Sequence, residues 1–202
     1  MNMKKRMLSI VLSGAMAVST AVSAGSFSAF AVAQCVAYSG SNVNDQDYVQ
    51  WSDTVKSYLT VCDNGNYMRV QSGAIKGKLL VEYYSSDFEP LSTKLIDNEL
   101  PIFGAFYDSG NNYYVLSGQE NPKQNDSLEV FRITKYDKNW NKIKSCGLYG
   151  ANTTVPFDAG SARMTHSGDH LLVRTCHEMY KSSDGNNHQA NVTIEVDMPS
   201  MN

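Results

Sequence analysis

The chain has 202 residues, 17 of them basic and 20 acidic, for a net charge of −3, and 42% of its residues are hydrophobic. An acidic balance of this kind argues against nucleic acid or anionic membrane as an electrostatic partner. About 170 residues remain beyond the N-terminal segment, enough for a packed core in one domain but not in two.

Lys4, Lys5 and Arg6 precede an uncharged run of apolar and small residues, Met7 to Ala24, and small-residue cleavage sites follow at Ala24, Ala31 and Ala33. A basic start, an apolar stretch interrupted by Ser, Thr and Gly, and an Ala-x-Ala-like end predict a secretory signal peptide over residues 1–33 rather than a membrane anchor. Its removal takes away three basic residues and no acid, so residues 34–202 are more acidic than the whole. No later segment is apolar enough to span a bilayer, and the expected location is extracellular. Gln34 stands before Cys35 where a lipoprotein has a small residue, which argues against lipidation. Cys35, Cys62, Cys146 and Cys176 permit two disulfides in any of three pairings, or free thiols; their spacing fits no CxxC metal or redox motif.

Beyond the signal, short runs rich in Tyr, Val, Ile and Thr alternate with Gly, Asn, Asp and Ser clusters, an all-β pattern. The runs recur. Tight turns at Asp63-Asn-Gly65-Asn, Asp108-Ser-Gly110-Asn-Asn and His166-Ser-Gly168-Asp each lead into a strand: YMRVQS, YYVLSG and HLLVRT. Later in the unit YYSSDFEPLSTKLI aligns with KYDKNWNKIKSCGL, setting Tyr84 with Tyr136, Phe88 with Trp140 and Leu91 with Ile143. A third landmark is Pro101-Ile-Phe-Gly104-Ala against Pro156-Phe-Asp-Ala-Gly160, and the small residues Gly104-Ala105 and Ala159-Gly160-Ser161 fit innermost strands crowded around a channel.

Units of roughly 40 to 50 residues with four strand-sized runs predict the blades of a β-propeller. The expected fold is therefore a partial β-propeller over residues 34–202, with about three four-stranded antiparallel blades near 56–98, 101–149 and 156–202. The last stops at VTIEVDMPSMN without its outer strand. A propeller must close to remove its edges, so the expected partners include the remaining blades of a longer chain, or self-association. Residues 44–55 (NDQDYVQWSDTV), with Tyr48, Val49 and Trp51, are expected to supply the outermost strand of a missing last blade. Over residues 44–197 this rhythm of strands and turns resembles secreted bacterial β-propeller proteins, similar in blade plan to the Kelch and galactose-oxidase-like group. The paired glycines of a Kelch blade and the Trp-Asp of WD40 are not present. The resemblance implies a fold and an export route, and no particular activity.

In this blade plan the short turns share one face, and Ser117 to Ser127, Gly150 to Phe157 and Glu178 to Asn187 form long loops on the other. Long loops gathered on one face suggest a binding surface. Its candidate ligand-binding residues are His177, Glu178, Tyr180, Asp184 and His188 of the third hairpin, with Arg163 and Arg174. A hairpin register whose paired numbers sum to 365 sets Leu171 against Ile194 and puts His177 opposite His188, their Cβ atoms about 5 Å apart. Such a pair suits a metal site with a third ligand from Glu178, Asp184 or His166, an acid/base centre with Glu178, or a hairpin cap. No cofactor is expected. Ser182-Ser-Asp184-Gly-Asn186 partly resembles a sialidase Asp-box, yet lacks its glycine and aromatic, and equally fits an Asx-type turn. Arg163 can reach a channel carboxylate or sulfate, or pair with Glu195 or Asp197. The expected function is a secreted extracellular protein binding a glycan or a protein on the long-loop face. The alternatives are a polysaccharide-acting hydrolase or lyase on a propeller scaffold, and a truncated chain without independent function.

Overall fold

A computed structural model describes residues 55–158, 160 and 162–202. The predicted signal peptide, Cys35 and residues 44–54 lie outside the described residues. Among the described residues twelve strands form three antiparallel sheets. The first contains β1 (Ser57–Val61), β2 (Tyr67–Ile75), β3 (Lys78–Tyr84) and β4 (Pro90–Asp97), in that spatial order. The second repeats the meander with β5 (Ile102–Asp108), β6 (Tyr113–Gly118), β7 (Glu129–Tyr136) and β8 (Lys142–Tyr149). The third contains β9 (Thr153–Pro156), β10 (Arg163–Ser167), β11 (His170–Met179) and β12 (Gln189–Asp197). The chain is all-β, with its sheets set side by side in the blade plan of a propeller.

Two cores hold the sheets face to face. Met68, Val70, Leu79 and Val81 of the first sheet pack against Phe103, Phe106, Tyr113, Tyr136 and Trp140 of the second. Tyr114, Leu116, Phe131 and Ile133 on the other side of the second sheet pack against Leu171, Val173, Ile194 and Val196 of the third. The middle sheet is therefore covered on both sides, and every residue of β6 is buried. This explains why YYVLSG shows no apolar/polar alternation. The first strands of the sheets converge: Tyr58 of β1 meets the rings of Phe103 and Phe106 of β5 edge-on, and β5 lies against β10.

Turns between the third and fourth strands repeat one geometry. Phe88 and Trp140 both adopt left-handed φ, at 63° and 64°. Ser85 Oγ accepts from the Asp87 and Glu89 amides, and Asp137 Oδ1 accepts from those of Asn139 and Asn141. The third sheet makes a related turn: Met201 is left-handed at φ 54°, Asp197 Oδ2 accepts from the Ser200 amide, and the Asp197 amide donates to the Asn202 carbonyl. Met201 is buried in the core. Among the described residues no strand pairs with the outer edge of β12, so the third sheet is one strand position narrower than the others.

The innermost strand of the third sheet differs from expectation. β9 pairs with the far end of β11 (His177↔Pro156) and β10 with its near end (Arg163↔Arg174). Past Pro156 the chain begins an excursion: residues 157, 158, 160 and 162 carry no strand pairing, and the sheet edge is interrupted opposite residues 175–176. The excursion delivers Phe157 into the second sheet. A Cβ on Gly104 would come within 2.4 Å of the Phe157 ring, and one on Gly118 within 2.8 Å. Gly104 is thus small because a phenylalanine from the next sheet occupies the space of its missing side chain.

Candidate functional site

The three long loops do meet at one rim, and they meet by bonding to one another. Asn121, almost fully buried, donates its backbone N–H to the Thr154 carbonyl at 2.7 Å and its amide to the Tyr180 hydroxyl at 2.9 Å. The Tyr180 backbone N–H donates to Asn152 Oδ1 at 3.2 Å. Thr154 Oγ1 donates to Glu178 Oε1 at 2.6 Å, and the Asn187 amide donates to the Met179 carbonyl at 2.8 Å. Burial raises the Tyr180 phenol pKa, and the Asp126 carboxylate raises it further. Of the predicted candidates, Glu178 and Tyr180 are therefore part of a loop-to-loop network.

The two histidines are not opposite each other. The β11–β12 register sets Leu171 against Val196, Val173 against Ile194 and His177 against Ala190. This is a two-residue slip from the sequence-based register. Side chains alternate faces with a period of two, so such a slip leaves every residue on its original face, and apolar patterning cannot detect it. His177 is buried, and its Nδ1 lies 2.6 Å from Thr153 Oγ1. Because that hydroxyl donates to the Ala151 carbonyl, it accepts from Nδ1–H, which assigns the tautomer. Burial lowers the His177 pKa and keeps the ring neutral.

His188 is exposed, with Nε2 2.8 Å from Asp184 Oδ2 inside the hairpin loop. Asp184 also accepts from the Ser182 hydroxyl and from the Asn186 amide at 3.0 Å. Those bonds, the Ser182 one foremost, hold its carboxyl well below the usual range. Ser182 to Asn186 is thus an Asx-type turn, closed by Gly185 at φ 84°. Among the described residues no three His, Cys, Asp or Glu side chains are grouped to hold a metal.

Arg163 and Arg174 are exposed cross-strand neighbours on β10 and β11. Arg163 Nη1 donates to the Ala162 carbonyl and Arg174 Nη1 to Thr193 Oγ1. The acids proposed for Arg163 are engaged elsewhere, Glu195 with His170 and Asp197 with the Ser200 amide. Cys62, Cys146 and Cys176 are free thiols.

The opposite rim, made of the short turns, carries concave sites that sequence reasoning missed. A cavity of about 270 Å³ opens between the first and second sheets, lined by Cys62, Asp63, Asn64, Asn66, Tyr83, Tyr113 and Lys138. Lys138 bonds Asp108 at 2.6 Å and stands 4.3 Å from the centre of the Tyr113 ring. The Tyr83 hydroxyl accepts from Trp140 Nε1 at 3.1 Å, and burial raises the pKa of both Tyr83 and Tyr113. A second cavity of about 290 Å³ opens between the second and third sheets. Its walls include Asn111, Asn112, Tyr114, Lys135, His166 and Asp169. The one sequence signal for these sites was the asparagine that follows the glycine in two of the tight turns, Gly65-Asn66 and Gly110-Asn-Asn112.

No family model and no curated protein matches the chain. Solved structures match at low identity, among them two galactosidases. One is a GH43 β-1,3-galactosidase, 12% identical, covering 73% of this chain and 32% of its own, with a TM-score of 0.43. The other is a GH43 β-1,3-galactosidase with galactodeoxynojirimycin, also 12% identical, covering 71% and 42%, with a TM-score of 0.38. The chain thus spans about a third of the first and two fifths of the second.

Proposed function

We propose that this chain is an exported protein that binds neutral carbohydrate at its short-turn rim. The observation supporting this reading is the common make-up of the two cavities. Each combines asparagine amides from a tight turn with a tyrosine, a lysine and an aspartate. Sugar hydroxyls both donate and accept, as amides do, and in the first cavity the Lys138 ammonium beside the Asp108 carboxylate offers a donor and an acceptor without net charge. In the first cavity the half-buried Tyr83 adds an apolar ring with a polar tip, matched to the mixed faces of a pyranose. The long-loop rim, where the ligand was first expected, has the Glu178, Tyr180 and Asn121 groups committed to joining hairpins.

The test is a calorimetric titration of the folded chain with neutral galacto- and gluco-oligosaccharides, β-1,3-linked galactans included. Binding is expected, and Asn66→Ala should weaken it while His188→Ala should not. A folded sample that binds none of the panel overturns the reading. A polysaccharide hydrolase or lyase on the same sheets is the alternative, and hydrolysis would require two carboxyl groups about 5–9.5 Å apart across a glycosidic bond. New reducing ends in the titrated samples would establish it; binding without cleavage favours a binding protein.

A further inference from the structure

The two cavities occupy equivalent places displaced by one sheet, with the asparagine before the second strand common to both. Strand pairing makes the correspondence explicit: Tyr67 pairs with Val61 and Tyr84 in the first sheet as Tyr113 pairs with Asp108 and Tyr136 in the second. Asn66 and Asn112, each just before that tyrosine, therefore hold equivalent places in the first and second cavity. So do Tyr83 and Lys135, each one residue before the tyrosine that ends the third strand. Lys138 and Met198 correspond as well, each following the aspartate that caps the next turn, Asp137 or Asp197.

One carboxylate joins the two sites. Asp108 Oδ1 accepts from Lys138 Nζ at 2.6 Å, on the wall of the first cavity. The same atom accepts from the Gly110 amide at 2.8 Å, in the turn that lines the second.

We infer that the two cavities form one track for an extended polysaccharide, a single chain lying across the rim of the middle sheet with a sugar seated in each. This rests on the carbohydrate reading above and specifies its ligand as an internal stretch of polymer rather than a terminal sugar. Packed sheets lie about 10 Å apart, so equivalent points of the two cavities are separated by a distance that a short oligosaccharide can bridge. Bridging makes the second contact intramolecular and raises the affinity without any new contact.

Calorimetry with galacto- or gluco-oligosaccharides of one to six sugars tests this on the full chain. The monosaccharide should bind weakly at two per chain and the hexasaccharide at one per chain, at least tenfold tighter. Asn66→Ala and Asn111→Ala, both at turn positions with solvent access, should each return the hexasaccharide to near the monosaccharide's affinity. Equal affinity at every length, or a hexasaccharide insensitive to Asn111→Ala but sensitive to Asn66→Ala, overturns the track and leaves a single carbohydrate site. Failure of every sugar to bind overturns the carbohydrate reading itself. The stoichiometry of the unsubstituted chain decides the matter if either variant misfolds.

Discussion

Phe88 and Trp140 occupy the same position of the same turn in adjacent sheets, and their fates differ. Both are left-handed, both follow a capped turn, and each lies against the tyrosine that begins its second strand. Phe88 stacks on Tyr67 at 4.5 Å, and Trp140 lies 4.8 Å from Tyr113. Yet Phe88 is 61% exposed and Trp140 only 4%. The difference is the first sheet, which closes over Trp140 and offers the Tyr83 hydroxyl to its indole N–H. No described sheet lies in front of Phe88. Local sequence therefore sets the turn, and the neighbouring sheet sets what the aromatic is worth.

If that is right, truncating the two aromatics should give very unequal losses. Trp140→Ala empties a position packed by Phe106, Tyr113 and Tyr136 and should cost about 3–5 kcal/mol in urea unfolding. Phe88→Ala should cost about 0.5–1.5 kcal/mol, the worth of one exposed stacking contact. Equal losses would mean that the sheets do not pack as described. Tyr83→Phe sharpens the same contrast at smaller scale. It removes the acceptor and leaves the Trp140 N–H buried and unpaired, for an expected loss of about 1–3 kcal/mol. The effect should vanish when Trp140 is already phenylalanine, in a double-mutant cycle.

The third hairpin repeats the contrast with two histidines, His177 buried and His188 exposed. Since burial lowers the His177 pKa, the unfolded chain binds the extra proton first. Stability contributed by neutral His177 is complete above the unfolded histidine value near 6.5 and is lost as pH falls from there toward the depressed folded value. A single group can add a slope of at most about 1.4 kcal/mol per pH unit in that window. His177→Gln keeps a donor for Thr153 and removes the titration, so its melting temperature should respond less to pH between 7 and 5 than that of the parent. An unchanged slope would show that His177 is solvated.

Strands and short turns were legible because their signals are local. The glycines at 65, 110 and 168 sit where a left-handed residue is needed, and the alternation in HLLVRT marks one covered face. What failed was nonlocal. The β11–β12 register escaped because a slip of two keeps Leu171 and Val173 facing the core. The break after Pro156 escaped because Phe157 packs against Gly104 and Gly118, which come from a different sheet. Glu178 and Tyr180 read as ligand groups because nothing in their own hairpin announces the partners Thr154 and Asn121, which arrive from earlier loops. The paired cavities escaped for the same reason: their walls come from adjacent sheets.

The smallest expected effect is the most specific to the Phe88–Trp140 comparison. Left-handed φ costs a non-glycine residue roughly 1–2 kcal/mol, and glycine avoids that cost. Phe88→Gly trades this relief against a stacking contact of about 0.5–1.5 kcal/mol, and the two should cancel to within about 1 kcal/mol. At Trp140 the same relief is set against a buried indole, and Trp140→Gly should be strongly destabilised. Turn strain is common to both sites, so the gap between the two glycine variants measures the covering sheet alone. A gap smaller than about 2 kcal/mol would be too small for a fully buried aromatic and would break the comparison.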